Sequence, residues 1–228
     1  MSSPNALAVA AEPGLSLALN GGGSSAIKVF LLLTALSFAS AIFVSITSFT
    51  RIVIVLSFLR QALGTPSLPP NQVLVGLSLA LTCFVMAEPA QKVYGNALGP
   101  YLEDRIGHAE ALERGAGPMR EFMLRQTREK DLKLFFEISR APPPSRAEQI
   151  PMTVAVPAFM ISELTTAFRM GLYVYLPLLL VDLLVSAILM SLGMMMVPPS
   201  LVSLPLKLGI FLMADGWHLV VASLARSF

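Results

Sequence analysis

The sequence contains few of the residues on which most catalytic and metal sites depend. Cys83 is its only cysteine, so an internal disulfide and a cysteine-based metal site are both excluded. His108 and His218 are its only histidines, and no HExxH, GxSxG or P-loop motif occurs. These absences argue against an enzyme, and we expect no cofactor and no metal.

Charged residues are scarce as well. They make up 13% of the chain, whereas ordinary soluble domains carry about 25%. The mean hydropathy of +0.72 is typical of a membrane protein, or of helices that are covered on nearly all sides. The net charge of +2, with no clustered basic stripe, gives no indication of nucleic-acid binding.

The charges that are present are concentrated in one segment. Between Glu103 and Glu148 lie 18 of the 30 charged residues, and this polar segment separates two hydrophobic blocks. The predicted organisation is a flexible leader over 1–25, a first hydrophobic helical hairpin over 26–94, a polar helical segment over 95–149 and a second hydrophobic helical block over 150–228. The leader lacks the basic start and the long apolar run of a signal peptide. The predicted fold is all-α and membrane-protein-like, with the polar helical segment inserted between two apolar helix pairs.

Seven charged residues interrupt the apolar stretches. They are Arg51, Arg60, Glu163, Arg169, Asp182, Lys207 and Asp215. A charge that faces lipid costs about 2.5–3.5 kcal/mol, so seven of them are not expected there. Snorkelling to the membrane surface suits the arginines but not the short Asp182. We therefore expect charge contacts between helices or between subunits, which predicts one subunit of a larger assembly. A proton relay through Asp182 or Glu163 is the alternative.

Three consecutive methionines, Met194, Met195 and Met196, follow Gly193 and precede Val197 and two prolines. Because proline cannot continue a helix, the methionines are predicted at a helix–loop junction. Methionine side chains are flexible and fill irregular gaps. The pattern therefore has two interpretations: three core residues beside a turn, or a deformable seal around something that moves.

Several stretches, in order and at similar spacing, resemble the FliP family of type III secretion export-gate subunits. They are Thr47–Ile52, Leu59–Pro66, Pro69–Gln72, Arg120–Arg128, Pro157–Phe159, Ser162–Leu164, Ala167–Phe168, Asp182–Leu183, Gly193–Pro199 and Asp215–Trp217. The resemblance covers about residues 28–228.

The resemblance implies a core pore-forming subunit of the flagellar protein export gate. Such a subunit would lie in the bacterial inner membrane at the flagellar basal body, with its polar segment in the periplasm. About five copies would assemble with FliQ and FliR, alongside FlhB and FlhA of the export apparatus, and would conduct unfolded flagellar proteins. Met194, Met195 and Met196 would form a gasket in the pore.

Three alternatives stay open. One is a small stand-alone membrane transporter or channel that uses intramembrane acids. Another is the injectisome counterpart of the same gate, although Thr50 to Ile52 and Gly64 to Pro66 look more like the flagellar form. The third is a membrane-embedded enzyme, which the lack of a convergent His/Asp/Ser or metal-ligand set disfavours.

Overall fold

A computed structural model of the chain describes residues 24–140, 144, 146, 149–194 and 196–228. The predicted leader over 1–25 lies almost wholly outside the described residues, and so does Met195. All regular secondary structure within the described ranges is helical, which confirms the predicted all-α class.

The described helices are numbered here in chain order. They are α1 (Ser24–Ile46), α2 (Phe49–Ala62), α3 (Asn71–Val85), α4 (Ala87–Val93), a π-helical turn (Tyr94–Leu98), α5 (Gly99–Leu102), α6 (His108–Gln126), α7 (Glu129–Ser139), α8 (Met152–Ser191), α9 (Ser200–Met213) and α10 (Gly216–Arg226). The chain divides into two compact units, Met1–Phe43 and Val44–Phe228. The packing described below belongs to the second unit.

Two breaks divide the predicted first hydrophobic hairpin into more than two helices. The first break lies at Thr47 and Ser48, between α1 and α2. The backbone N–H of Phe49 donates to Thr47 Oγ1 at 3.4 Å. The helix can break here because a side-chain hydroxyl replaces the helical hydrogen-bond partner of that N–H. The second break lies at Met86, between α3 and α4. It places Pro89 in the first turn of α4, where its missing N–H is not needed.

Helix α8 is the longest element that the structure describes. It continues through Pro157 and Pro177 for 40 residues. At 1.5 Å per residue it is roughly 60 Å long, about twice the thickness of a bilayer's hydrocarbon core. By length and composition, Ile27–Ile46 and Met152–Ser191 can each cross a membrane. Counting each bent helix pair, α3 to α5 and α9 to α10, as one span raises the number to four.

Helix α2 forms the centre of the second unit. Its buried side chains Ile52, Val55, Leu56 and Leu59 recur at helical spacing, so they form one apolar face. They join a core cluster with buried residues of four other helices: Leu74, Ala167, Leu178, Phe211, Val220 and Leu224. The polar segment docks separately, because Phe122 and Met123 of α6 cluster with Phe159 of α8. Within the second unit, α3, α6, α9 and α10 are thus held on α2 and α8.

A glycine allows α2 and α8 to approach each other closely. A Cβ atom added at Gly171 of α8 would lie 2.7 Å from Cγ of Phe58 in α2, which is too close for two carbon atoms. We therefore expect Gly171→Ala to destabilise the protein by about 1–3 kcal/mol, as overpacking does. Thermal unfolding in detergent measures the effect. Gly76→Ala is the matched control, because nothing lies within 4 Å of its added Cβ; an equal loss in both variants would contradict the close approach.

A large apolar surface stays uncovered on α8. Leu172, Leu180, Leu184 and Ile188 are among its many exposed apolar side chains. Soluble monomers rarely expose contiguous apolar patches of more than a few hundred Å². This surface therefore needs lipid or other protein to cover it.

Candidate functional site

Arg51 and Glu163 form a buried ion pair between α2 and α8. Their side chains are 2% and 0% exposed. Arg51 Nε donates to Glu163 Oε2 at 2.9 Å, and Arg51 Nη2 donates to Glu163 Oε1. This two-pronged geometry is the strong form of an arginine–carboxylate contact. Because Arg51 is buried, it does not snorkel to a membrane surface.

The other donors of Arg51 reach two further parts of the chain. Nη1 donates to the backbone oxygen of Ser227 at 2.7 Å and to its hydroxyl at 3.0 Å, and Nη2 donates to Gln126 Oε1 at 3.1 Å. The guanidinium carbon lies 4.0 Å from the ring centroid of Phe228. Gln126 Nε2 in turn donates to the backbone oxygen of Phe228 at 2.8 Å. Arginine carries five N–H donors, and all are engaged, so this one side chain ties α2 to α8, to the end of α6 and to the residues after α10.

A second polar contact fixes the polar segment to α8, next to the first. Ser162 precedes Glu163, and its hydroxyl donates to Asp131 Oδ2 at 2.6 Å. The backbone N–H of Arg128 donates to Ser162 Oγ at 3.1 Å, and its guanidinium pairs with Asp131. Burial raises the pKa of the Asp131 carboxyl, but the hydrogen bonds from Ser162 and Arg128 and the charge of Arg128 lower it more. The pKa of Asp131 therefore lies below its ordinary value.

Asp131→Asn is expected to destabilise the protein by about 1.5–3 kcal/mol at neutral pH, the usual worth of hydrogen bonds to a charged group. Because folding lowers the pKa of Asp131, its contribution is fully present above the unfolded value near 3.8 and is lost as the pH falls through the folded value. The difference in unfolding free energy between the wild type and the variant should therefore be largest above pH 3.8 and shrink steadily as the pH is lowered below that value. Glu137→Gln, exposed on the same helix, is the control. A difference that persists in acid would contradict the ionised contact.

Lys207 and Asp182 form an ion pair between α9 and α8. Lys207 Nζ lies 2.6 Å from Asp182 Oδ2 and donates to the backbone oxygen of Ala62 at 2.9 Å. That carbonyl lies in the last turn of α2, where helical carbonyls lack intrahelical partners and favour a cation. Lys207 is buried, whereas Asp182 is half-buried and lines a cavity of about 190 Å³ that reaches Pro199 and Ser200. The ion pair thus fixes the middle of α9 against α8 and α2.

The other three charges that the sequence singled out lie apart from these two pairs. Arg60 Nη1 donates to Asn71 Oδ1 at 2.6 Å, which closes the proline-rich turn between α2 and α3. Arg169 is exposed on α8. Asp215 is exposed at the bend between α9 and α10, with a φ of 49°. Of the seven predicted charges, the structure brings together Arg51 with Glu163 and Asp182 with Lys207.

The methionine turn, defined here as residues 193–197, connects α8 to α9. Gly193 has a φ of +74°, a left-handed conformation that glycine adopts without strain, and it ends α8. Met194 is 44% exposed and Met196 is 96% exposed. In the isolated chain these large apolar side chains project from the surface of the turn and are not core residues.

The partners that complete the Arg51 and Asp131 contacts were not predictable from the sequence. Gln126 and Ser227 are ordinary polar residues in sequence, and nothing distinguishes them as partners of a buried arginine. Asp131 lies beside the exposed Glu129 and Lys130 in the charge-rich segment, so its burial had no sequence signal. Its spacing from Arg128, i to i+3, was the one available hint.

Comparisons with known proteins agree with the resemblance seen in the sequence. The model of the FliP family matches residues 32–224. The flagellar biosynthetic protein FliP of Pectobacterium carotovorum subsp. carotovorum is 54% identical over 211 residues, which are 92% of this chain and 82% of that protein. FliP of Buchnera aphidicola subsp. Baizongia pistaciae is 50% identical over 89% of this chain and 56% of its own length. FliP of Bacillus subtilis is 48% identical over 90% of this chain and 93% of its own length.

Proposed function

Because the chain belongs to the FliP family of flagellar biosynthetic proteins, we propose that it is a pore-forming subunit of the flagellar type III protein export gate. The observation that carries the proposal is the methionine turn, where Met194 and Met196 are apolar, flexible and exposed. A monomer gains nothing from such side chains in water. In a ring of subunits they would meet at the axis and close a pore.

The uncovered apolar surfaces support an assembly. Helix α8 is roughly 60 Å long, about twice what a bilayer core covers, and it is lined with exposed leucines. Neighbouring subunits can cover the part of α8 that extends beyond the hydrocarbon core of the bilayer. In the arrangement we propose, about five copies of the chain assemble with FliQ and FliR, beside FlhB and FlhA. The assembly lies in the inner membrane at the basal body, with the polar segment in the periplasm.

The proposed mechanism is passive conduction through a deformable seal. A pore that admits an unfolded chain would leak ions and protons at rest. Rings of thioether side chains can exclude water when the pore is empty, since a hydrophobic constriction closes by dewetting. Methionine changes rotamer easily, so the same ring can reshape around a passing polypeptide. The energy for transport would come from other components of the export apparatus.

The Asp182–Lys207 pair tests whether the charges support assembly or take part in transport. We expect Asp182→Ala to leave Lys207 uncompensated in the middle of α9, to weaken the gate complex on native gels and to reduce export of flagellar proteins in parallel. Removing one partner of a buried ion pair usually lowers the free energy of unfolding by about 3–5 kcal/mol. Because Asp182 is only half-buried, we expect the loss in Asp182→Ala to be at or below the lower end of that range. Glu103→Ala, which removes an exposed carboxylate paired with Arg105, is the control. If the complex of Asp182→Ala stays intact but no longer exports, Asp182 has a role in transport and not in assembly.

A further inference from the structure

A basic cleft lies where the first hydrophobic block meets the polar segment. Its volume is about 690 Å³, within the range of small-molecule binding sites. It is bounded by α4, the π-helical turn and α6. Its polar lining consists of four cations, one amide and one carboxylate: Lys92, Arg114, Arg120, Arg125, Asn96 and Glu121. Three arginines in one cleft favour an anion with several oxygens, because a guanidinium donates to two oxygens at once.

The acidic residues near the cleft form weak, exchangeable pairs. Lys92 Nζ lies 2.9 Å from Glu88 Oε1 and 3.7 Å from Glu121 Oε1, and Arg114 pairs with Glu110 at 2.5 Å. All five side chains are between 43% and 62% exposed. Exposed pairs contribute little, with a median of about 0–1 kcal/mol, so an anionic ligand can displace them. The four cations of the lining outnumber the three nearby carboxylates of Glu88, Glu110 and Glu121, so the cleft carries an excess of positive charge.

The position of the cleft indicates the source of the anion. Phe84, near the end of the apolar helix α3, is exposed, and Lys92 follows it in α4, just beyond the break at Met86. Tyr94, between Lys92 and the rest of the π-helical turn, is exposed as well, and tyrosine favours the membrane–water interface. Basic side chains just beyond an apolar helix lie where lipid headgroups would be if that helix entered a bilayer.

From these contacts we infer that the cleft binds a phosphate-bearing anion, with Arg114, Arg120 and Arg125 as its main ligands and Lys92 at its edge. The phosphate can belong to the headgroup of an anionic phospholipid or to a soluble phosphate compound. The inference is independent of the proposed pore and does not require the methionine turn.

The test compares two double variants of the full chain, purified with the subunits that accompany it. Arg114→Gln with Arg125→Gln removes two cations from the cleft. Arg105→Gln with Arg146→Gln removes the same charge from exposed positions that do not line it. Native mass spectrometry after titration with phosphatidylglycerol or phosphatidylcholine measures binding, and inorganic phosphate at millimolar concentration is the competitor.

We expect the cleft variant to lose about tenfold or more of its affinity for phosphatidylglycerol, the loss expected when a charge-assisted contact is removed, and the control less than about twofold. Resistance of this binding to inorganic phosphate would assign the site to a lipid headgroup. Cleft-dependent binding of inorganic phosphate without a preference for phosphatidylglycerol would assign it to a soluble compound. Binding of both probes that is unchanged in the cleft variant would overturn the inference. The inference would also be overturned if a photo-crosslinker placed at position 125 captured an acidic protein segment and no lipid.

Discussion

Simultaneous replacement of Met194, Met195 and Met196 by alanine is expected to make the resting membrane leak ions. Alanine cannot reach across a pore that methionine closes, so the water-excluding constriction is lost. We expect the resting conductance to rise by about tenfold or more, which corresponds to about 1.4 kcal/mol of lost barrier. The measurement is the ion current or the membrane potential of cells that produce the gate without an export substrate.

A matched control distinguishes the effect of the methionine turn from the effect of removing any exposed methionine. Met213 is also highly exposed, at the end of α9 and outside the methionine turn, so Met213→Ala should leave the membrane tight. Leucine at all three turn positions should retain the seal but slow export, because leucine is similarly apolar and less adaptable. A tight membrane with normal export in the triple alanine variant would contradict the gasket.

The second large effect is expected at the buried Arg51–Glu163 pair. Glu163→Ala should destabilise the protein by about 3–5 kcal/mol, because it leaves a buried guanidinium without its counter-charge. Arg51→Lys should also be destabilising, since an ammonium cannot supply the five hydrogen bonds that join Glu163, Gln126 and Ser227. Unfolding in denaturant and the amount of protein in the membrane are the measurements.

Two controls define what the pair contributes. Glu110→Ala removes the partner of Arg114 in an exposed pair, where we expect a loss of about 0–1 kcal/mol. The double variant Arg51→Met, Glu163→Leu should recover much of the stability lost in Glu163→Ala, since apolar residues of similar volume avoid the cost of burying charge. If Glu163→Ala is no worse than Glu110→Ala, the network does not hold the four parts of the chain together.

Local sequence patterns predicted the helical class and the positions of the unusual charges. An apolar run with few breaks predicts helices, and Arg51, Glu163, Asp182 and Lys207 are conspicuous because their neighbours are uncharged. The FliP resemblance was equally visible in short motifs, and the family match confirms it. Each of these signals lies within a few residues along the chain.

The pairings were not predictable, because they join residues that are far apart in the sequence. Arg51 and Glu163 are 112 residues apart, and Arg51 and Ser227 are 176 apart. Periodicity shows which face of a helix is apolar, but it does not show which other helix covers that face. The break at Thr47 and Ser48 was missed for a related reason, since a hydroxyl that replaces a helical hydrogen bond leaves the apolar pattern unchanged.

The mass of the complex extracted from membranes in mild detergent shows whether this chain works as one subunit of an export gate. We expect a particle several times the 24.5 kDa of the chain, with about five copies of it together with small, unrelated hydrophobic subunits. A monomer or dimer of the chain alone, able to transport a substrate in liposomes without partners, would contradict this role.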